Sequence, residues 1–211
     1  MSAPTSTSPG PSLVLASAFA RAGALGAVIL FAACQGPSGS DAASDEPSAT
    51  DAIVSRIVRT AAEDLIVEQT VFVDAPVAQV WAAYTTEAGW QAWAAPVVEI
   101  DLRAGGTIRT NYAPGAAIGD PGTNTLHILN LVPERVLTLQ AELDQNWPEV
   151  MQQDAGRLMN LVLFEALAPE RTKITSYGLG YRDSPEYDAL MSFFVPANEG
   201  LYAGLKQYLE D

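Results

Sequence analysis

A change of period at Asp74 constrains this chain more than any other feature. Leu65 to Val73 (Leu-Ile-Val-Glu-Gln-Thr-Val-Phe-Val) is rich in β-branched residues and alternates, which predicts a strand. Beyond Asp74-Ala-Pro, the apolar residues Val77, Val80, Trp81 and Tyr84 fall at i, i+3, i+4 and i+7, the spacing of one helix face. Asp74 is the expected cap of that helix, with Pro76 in its first turn. Thr86-Glu87 restarts a second short helix that carries Trp90 and Trp93.

Five more strands are expected in series and then a last one before a terminal helix. Val97 to Leu102 and Thr107 to Tyr112 are joined across Arg103-Ala-Gly-Gly, where Gly105-Gly106 offers the positive φ of a tight hairpin. Thr125 to Val132, Arg135 to Leu143, Arg157 to Leu167 and Thr172 to Leu179 follow, with irregular loops at 113–124 and 144–155. Ile53 to Ala62 reads as a weak helical lead-in. Ser184-Pro185-Glu186 opens the final helix, with Ser as cap and Pro at its first position. Pro196 is expected to break or kink it. This order predicts an α+β fold: a curved antiparallel six- or seven-stranded sheet wrapped around a long C-terminal helix, with two short helices after strand 1. Such a sheet twists and curls, so a cavity between sheet and helix is expected.

The N-terminal region has a different character. All acidic residues lie after position 40, and Arg21 is the only charge before it. The apolar run Ala22 to Ala33 suits a signal-peptide core and falls short of the ~20 residues that a spanning helix needs. Extending it upstream would bury Arg21 at a cost of roughly 2.5–3.5 kcal/mol. Ala32 and Ala33 precede Cys34, the only cysteine. This resembles the lipobox of bacterial lipoproteins, with Phe31 standing where Leu, Val or Ile is usual. The resemblance implies cleavage before Cys34 and acylation of its thiol. An ordinary signal peptide or an uncleaved anchor is the alternative. Gln35 to about Ala52 is Gly, Ser, Ala, Asp, Pro and Glu, too polar to offset its ordering entropy by burial, and reads as a tether. The expected organisation is a signal peptide at 1–33, lipidated Cys34 with a flexible tether at 34–52, and a folded domain at 53–211. Gln35 in place of an Asp after the Cys implies, by the same resemblance, the periplasmic face of the outer membrane if the cell has one.

Within the folded part, several segments stand out together. They are Val71-Phe-Val-Asp-Ala-Pro-Val-Ala-Gln-Val-Trp81-Ala-Ala-Tyr-Thr, Trp90-x-x-Trp93, Asp101-Leu-Arg-Ala-Gly-Gly106-Thr-Ile-Arg109, Leu131-Val-Pro-Glu-Arg135-Val, and Phe164-Glu165 ahead of Thr172-Lys-Ile-Thr. They resemble the START-like (SRPBCC) helix-grip superfamily, and within it the family named for the activator of the heat-shock-protein-ninety ATPase. The resemblance runs from about Leu65 to Leu209. It implies an apolar pocket for small hydrophobic molecules such as lipids, sterols or polyketides, and it supplies no shared catalytic motif. The family's co-chaperone role is intracellular, which the export signal argues against.

Composition narrows the chemistry. With 11 Lys+Arg against 25 Asp+Glu, a formal charge of −14, the chain lacks the basic footprint of a nucleic-acid binder. One Cys allows neither an internal disulfide nor a Cys-based zinc site. No metal site and no cofactor are expected. The pocket candidates are Trp90, Trp93, Tyr112, His127, Asn160 and Phe164, with Trp81 and Trp147 as further aromatics that suit either pocket or core. His127 shares the period-2 face of Leu129 and Leu131. If that face lines the cavity, His127 orients a ligand or acts as a general base; otherwise it bonds its neighbours or faces solvent. Arg103 and Arg109 flank the Gly-Gly hairpin and are expected in solvent, as are Glu99 and Asp101. Leu161 and Leu163 oppose Asn160, Val162 and Phe164, so one set gives the outer sheet face exposed leucines, a surface for a homodimer or partner.

The scarcity of convergent titratable groups favours a membrane-tethered binding or carrier domain for a small hydrophobic ligand. The alternatives are a cyclase- or hydratase-like enzyme using His127 in the same cavity, and an envelope protein-interaction module.

Overall fold

The computed structural model describes residues 52–211. The segments expected to be an export signal and, nearly all of it, a tether lie with Cys34 outside the described residues. Eight strands are present there: β1 (Val54–Arg59), β2 (Asp64–Val73), β3 (Val97–Ile100), β4 (Thr107–Asn111), β5 (Asn124–Val132), β6 (Val136–Ala141), β7 (Met159–Ala168) and β8 (Arg171–Arg182). They form one antiparallel sheet in the order β1-β2-β8-β7-β6-β5-β4-β3. The helices are α1 (Val77–Thr85), α2 (Glu87–Trp93), α3 (Glu149–Gln153) and α4 (Pro185–Glu210). The expected α+β helix-grip architecture is therefore the observed one.

The topology explains why the helices lie where they do. β2 leaves the sheet one strand in from its edge, and α1 and α2 carry the chain across to the far edge, β3. Six strands then return by antiparallel neighbours until β8 pairs with β2. The crossing helices and α4 cover one face of the sheet, the inner face. Alternation along β2 is strict: Leu65, Val67, Gln69, Val71 and Val73 are all buried and the residues between them are half-exposed. Each inward Leu or Val contributes roughly 1.5–3 kcal/mol by burial.

Several expectations are corrected. The lead-in at 53–62 is a strand, not a helix, and it adds an eighth strand to the six or seven expected. β1 pairs residue for residue with β2 from Val54↔Thr70 to Arg59↔Leu65. Its β-branched Val54, Ile57 and Val58 suit a pleated edge, and Thr60 Oγ1 closes the turn by accepting from the Ala62 and Asp64 amides. Asp74 does not cap α1. The cap position is Pro76, without a side-chain bond, while the Asp74 carboxylate accepts from Arg171 Nη1 at 2.5 Å. Pro196 does not break α4, which is continuous from Pro185 to Glu210. At that turn Gln69 Nε2 donates to the Val195 carbonyl (3.3 Å) and to Ser55 Oγ (3.0 Å), and Asn198 Nδ2 donates back to Gln69 Oε1 (3.0 Å). The buried amide thus ties β1, β2 and α4 together where proline removes a helix hydrogen bond. The loop at 144–155 contains α3. At the hairpin only Gly105 has positive φ, +77°. Gly106 is required instead because a Cβ there would lie 2.0 Å from the Asp101 carbonyl oxygen.

Two apolar clusters lie on the inner face. The larger joins Val71, Val73, Val80, Tyr84, Trp90, Ile108, Ile128, Leu137, Phe164, Ile174 and the C-terminal half of α4. The smaller joins Leu65, Val67, Met151, Leu158, Tyr187 and Met191, with Trp147 packed against it. Asp154, 2% exposed, sits in the smaller one. It accepts from Arg182 Nε (2.9 Å) and from the Tyr187 hydroxyl (3.1 Å). Burial opposes ionisation of this carboxyl. The hydrogen bonds from Arg182 and Tyr187, together with the charges of Arg182 and Arg157, outweigh that and hold its pKa below the ordinary aspartate value.

Candidate functional site

The site grows from the elbow between α1 and α2. Thr86 ends α1 and caps α2, its hydroxyl accepting from the Gly89 amide at 3.0 Å. A Cβ at residue 89 would lie 2.5 Å from the Ala82 carbonyl oxygen and 2.6 Å from Ala83 Cα, so glycine lets α2 fold tightly back on α1. That approach puts two indoles on the orphan carbonyls at the end of α1. Trp90 Nε1 donates to the Tyr84 carbonyl (2.6 Å) and Trp93 Nε1 to the Ala83 carbonyl (3.0 Å). Both indole N–H groups are satisfied by backbone, which makes Trp90 and Trp93 framing residues.

What they frame is an aromatic nest around the Tyr84 ring. Phe164, projecting inward from β7, meets Trp81 edge-on at 5.4 Å and Tyr84 edge-on at 5.1 Å between centroids. Trp93 lies 5.1 Å from Tyr84 and 5.7 Å from Trp90. These are the offset and edge-to-face contacts that aromatic quadrupoles favour.

A line of polar groups crosses this apolar interior. Asn160 stands four residues before Phe164 on the same face of β7, and its Nδ2 donates to Ser176 Oγ on β8 at 2.8 Å. On α4, burial pushes the pKa of the Tyr202 phenol up, with the Ser176 hydroxyl working the other way. The Tyr84 phenol is raised well above its ordinary value by burial and, secondarily, by the nearby Tyr202. Both phenols therefore keep their protons at neutral pH and present O–H donors. Tyr84 is 5% exposed, and its hydroxyl is the one buried side-chain polar atom among the described residues without a hydrogen-bond partner.

Of the residues picked out in the sequence, Trp90, Trp93 and Phe164 come together here, with Asn160 further along the inner face. Tyr112, just past β4, hydrogen-bonds Thr110, and burial raises its pKa. His127 belongs elsewhere. Ile128 is fully buried in the core, and His127 faces the other side of the sheet, half exposed, with Nε2 3.5 Å from Glu142 Oε2. A β-bulge between Ile128 and Asn130 breaks the alternation on which its inward placement depended. Leu131 packs on the core while Leu129 is 40% exposed. Trp147 packs on the smaller cluster. Arg109 pairs with Glu99 across β3 and β4 (3.0 Å) and Arg103 with Asp101 (2.9 Å), so those carboxylates do not form a catalytic pair. Among the described residues no Lys, Arg or His is buried. The sequence reading passed over Tyr84, Ser176 and Tyr202. Tyr84 and Tyr202 sit at apolar helical spacings and so read as packing residues.

A sheet gripping a long C-terminal helix over an aromatic, donor-bearing interior defines an α+β helix-grip protein. The family model described as "Activator of Hsp90 ATPase homolog 1-like protein" matches residues 74–210, and the chain belongs to that family. Solved structures share the fold. The Aha1 dimer from Colwellia psychrerythraea is 16% identical with a TM-score of 0.52, covering 69% of this chain and 96% of that one. CalU16 from Micromonospora echinospora is 17% identical at 0.53, over 77% and 76%. Ms6760 from Mycobacterium smegmatis is 16% identical at 0.53, over 75% and 98%. At such identities the likeness is one of fold. No curated protein matches the sequence significantly.

Proposed function

We propose that this chain is an exported, membrane-tethered domain that binds a small hydrophobic molecule between the inner sheet face and α4. The unpartnered Tyr84 hydroxyl carries the reading. A buried donor without an acceptor costs about 1–3 kcal/mol, and a ligand oxygen would remove that cost while the surrounding rings take its apolar body. The membrane part rests on the apolar run before Cys34 and the polar tether after it. Acylation there would hold the domain at a bilayer; no helix among the described residues is long and apolar enough to cross one.

The test uses the full chain expressed with its own export signal. It is expected in the membrane fraction, and Cys34→Ser is expected to release it. Extraction with organic solvent, followed by refolding, should lower the melting temperature, and adding back the extract should restore it. A ligand at about 100 times its Kd adds roughly 2.7 kcal/mol, a shift of several degrees for a domain of this size. Identical melting before and after extraction counts against ligand binding; a Cys34→Ser protein that stays on the membrane counts against the lipid tether.

A homodimer through the outer face is a second part of the reading. Val132, Val136, Leu163, Thr175, Thr70 and Val54 stand in register across six strands of that face, and Val132 is 49% exposed. One similar structure is described as a dimer. A monomeric mass by light scattering throughout the micromolar range would set this aside.

A further inference from the structure

The donors and charges of the interior say what kind of molecule it accepts. We propose that the ligand is uncharged and bears an acceptor oxygen of the ketone, ester or quinone type, received by the Tyr84 hydroxyl, and that ionised fatty acids are rejected. This rests on the ligand-binding reading above and sharpens it.

The first support is a buried hydrogen-bond donor without an acceptor. Asn160 Nδ2 is taken up by Ser176 Oγ. The Tyr84 hydroxyl, 5% exposed, has no partner. A buried group of this kind calls for an acceptor from outside the protein.

The second support is the absence of a buried cation. No Lys, Arg or His among the described residues is buried, and the one buried carboxylate, Asp154, lies in the other cluster, held by Arg182. A carboxylate placed beside Tyr84 would lose its hydration without gaining a counter-ion, which is far more costly than burying a neutral carbonyl. The Tyr84 hydroxyl suits a lone pair of a carbonyl oxygen.

Three probes with the same rings and different ends separate these ideas: naphthalene, 2-acetylnaphthalene and 2-naphthoate, the last ionised at pH 8. Binding is measured by equilibrium dialysis to the full chain after organic extraction, for the natural protein and for Tyr84→Phe. The ketone should bind about fivefold or more tighter than naphthalene, and naphthoate at least about a hundredfold more weakly than the ketone. Tyr84→Phe should bring the ketone down to the affinity of naphthalene and leave naphthalene itself unchanged, which also shows that the variant is folded. Naphthoate binding as tightly as the ketone overturns the proposal, as does a ketone affinity unaffected by Tyr84→Phe, which would assign the hydroxyl to a buried water. Either result leaves ligand binding intact. Failure of all three probes, naphthalene included, overturns the ligand-binding reading itself.

Discussion

Phe164→Ala should cost about 3–5 kcal/mol of folding stability, the range for truncating a buried aromatic ring. Phe164 is 5% exposed, faces Ile174 across β7 and β8, and supplies the edge-to-face partner of both Trp81 and Tyr84. Each such aromatic pair adds roughly 0.5–1.5 kcal/mol beyond simple burial. A domain of ordinary stability holds about 5–15 kcal/mol, so the variant should melt on the order of 10 °C lower. Urea unfolding followed by tryptophan emission measures this directly, because Trp81 packs against the ring that is lost and Trp93 against its neighbour Tyr84. The size of the loss also reports on the site. A loss below about 1 kcal/mol would mean that Phe164 edges open space rather than a filled nest, because deleting a ring that borders a void forfeits few contacts.

The second large effect is expected from Asp154→Asn. The buried carboxylate joins the residues after α3 to β8 through Arg182 and to α4 through Tyr187. Losing hydrogen bonds to a charged group costs about 1.5–3 kcal/mol, and the lower part of that range applies because the Arg182 side chain is 57% exposed and screened by water. The sign of the pH dependence follows from the lowered pKa of Asp154. A carboxyl with a depressed folded-state pKa contributes stability that is fully present above its unfolded value near 3.9 and is lost as pH falls through the folded value. The gap between the natural protein and Asp154→Asn should thus be constant from neutral pH down to about pH 5 and close below about pH 4. A gap that persists undiminished to pH 2 would mean that the loss is one of packing. Tyr187 acts at the other extreme: burial, then its bond to Asp154, raises its pKa. Its contribution is present below the unfolded tyrosine value and declines as pH rises past about 10.

The sequence spoke most clearly where burial follows a period. The odd residues of β2 and the Val77, Val80 and Tyr84 face of α1 are where alternation and helical spacing put them. Ser184 caps α4 as expected, accepting from the Tyr187 amide at 3.4 Å. It spoke least clearly where tertiary contacts decide. Three β-branched residues alone do not decide between a lead-in helix and an edge strand at Val54–Arg59, because the pairing that makes it a strand lies with β2. Pro196 reads as a stop unless one knows that Gln69, Ser55 and Asn198 meet at that turn.

The site was legible in part, for the same reason. Phe164, Trp90, Trp93 and Asn160 stand out as bulky or polar interruptions in apolar runs. Tyr84 and Tyr202 are hidden in theirs, because a tyrosine at a core position shows its hydroxyl as functional only when the partners around it can be counted. His127 takes the outward of its two expected placements for a specific cause. Period-2 inference carries across a strand only while the register holds, and a one-residue bulge reverses every assignment beyond it.

Native mass spectrometry of the full chain, recovered from membranes in mild detergent and transferred without denaturation, addresses ligand binding most directly. The expected result is a reproducible adduct of a few hundred daltons, lost on denaturation and extractable as an uncharged, oxygen-bearing compound. A bare protein mass in every folded preparation would contradict it, and the Tyr84 hydroxyl would then be no more than an unpaired group in a closed core.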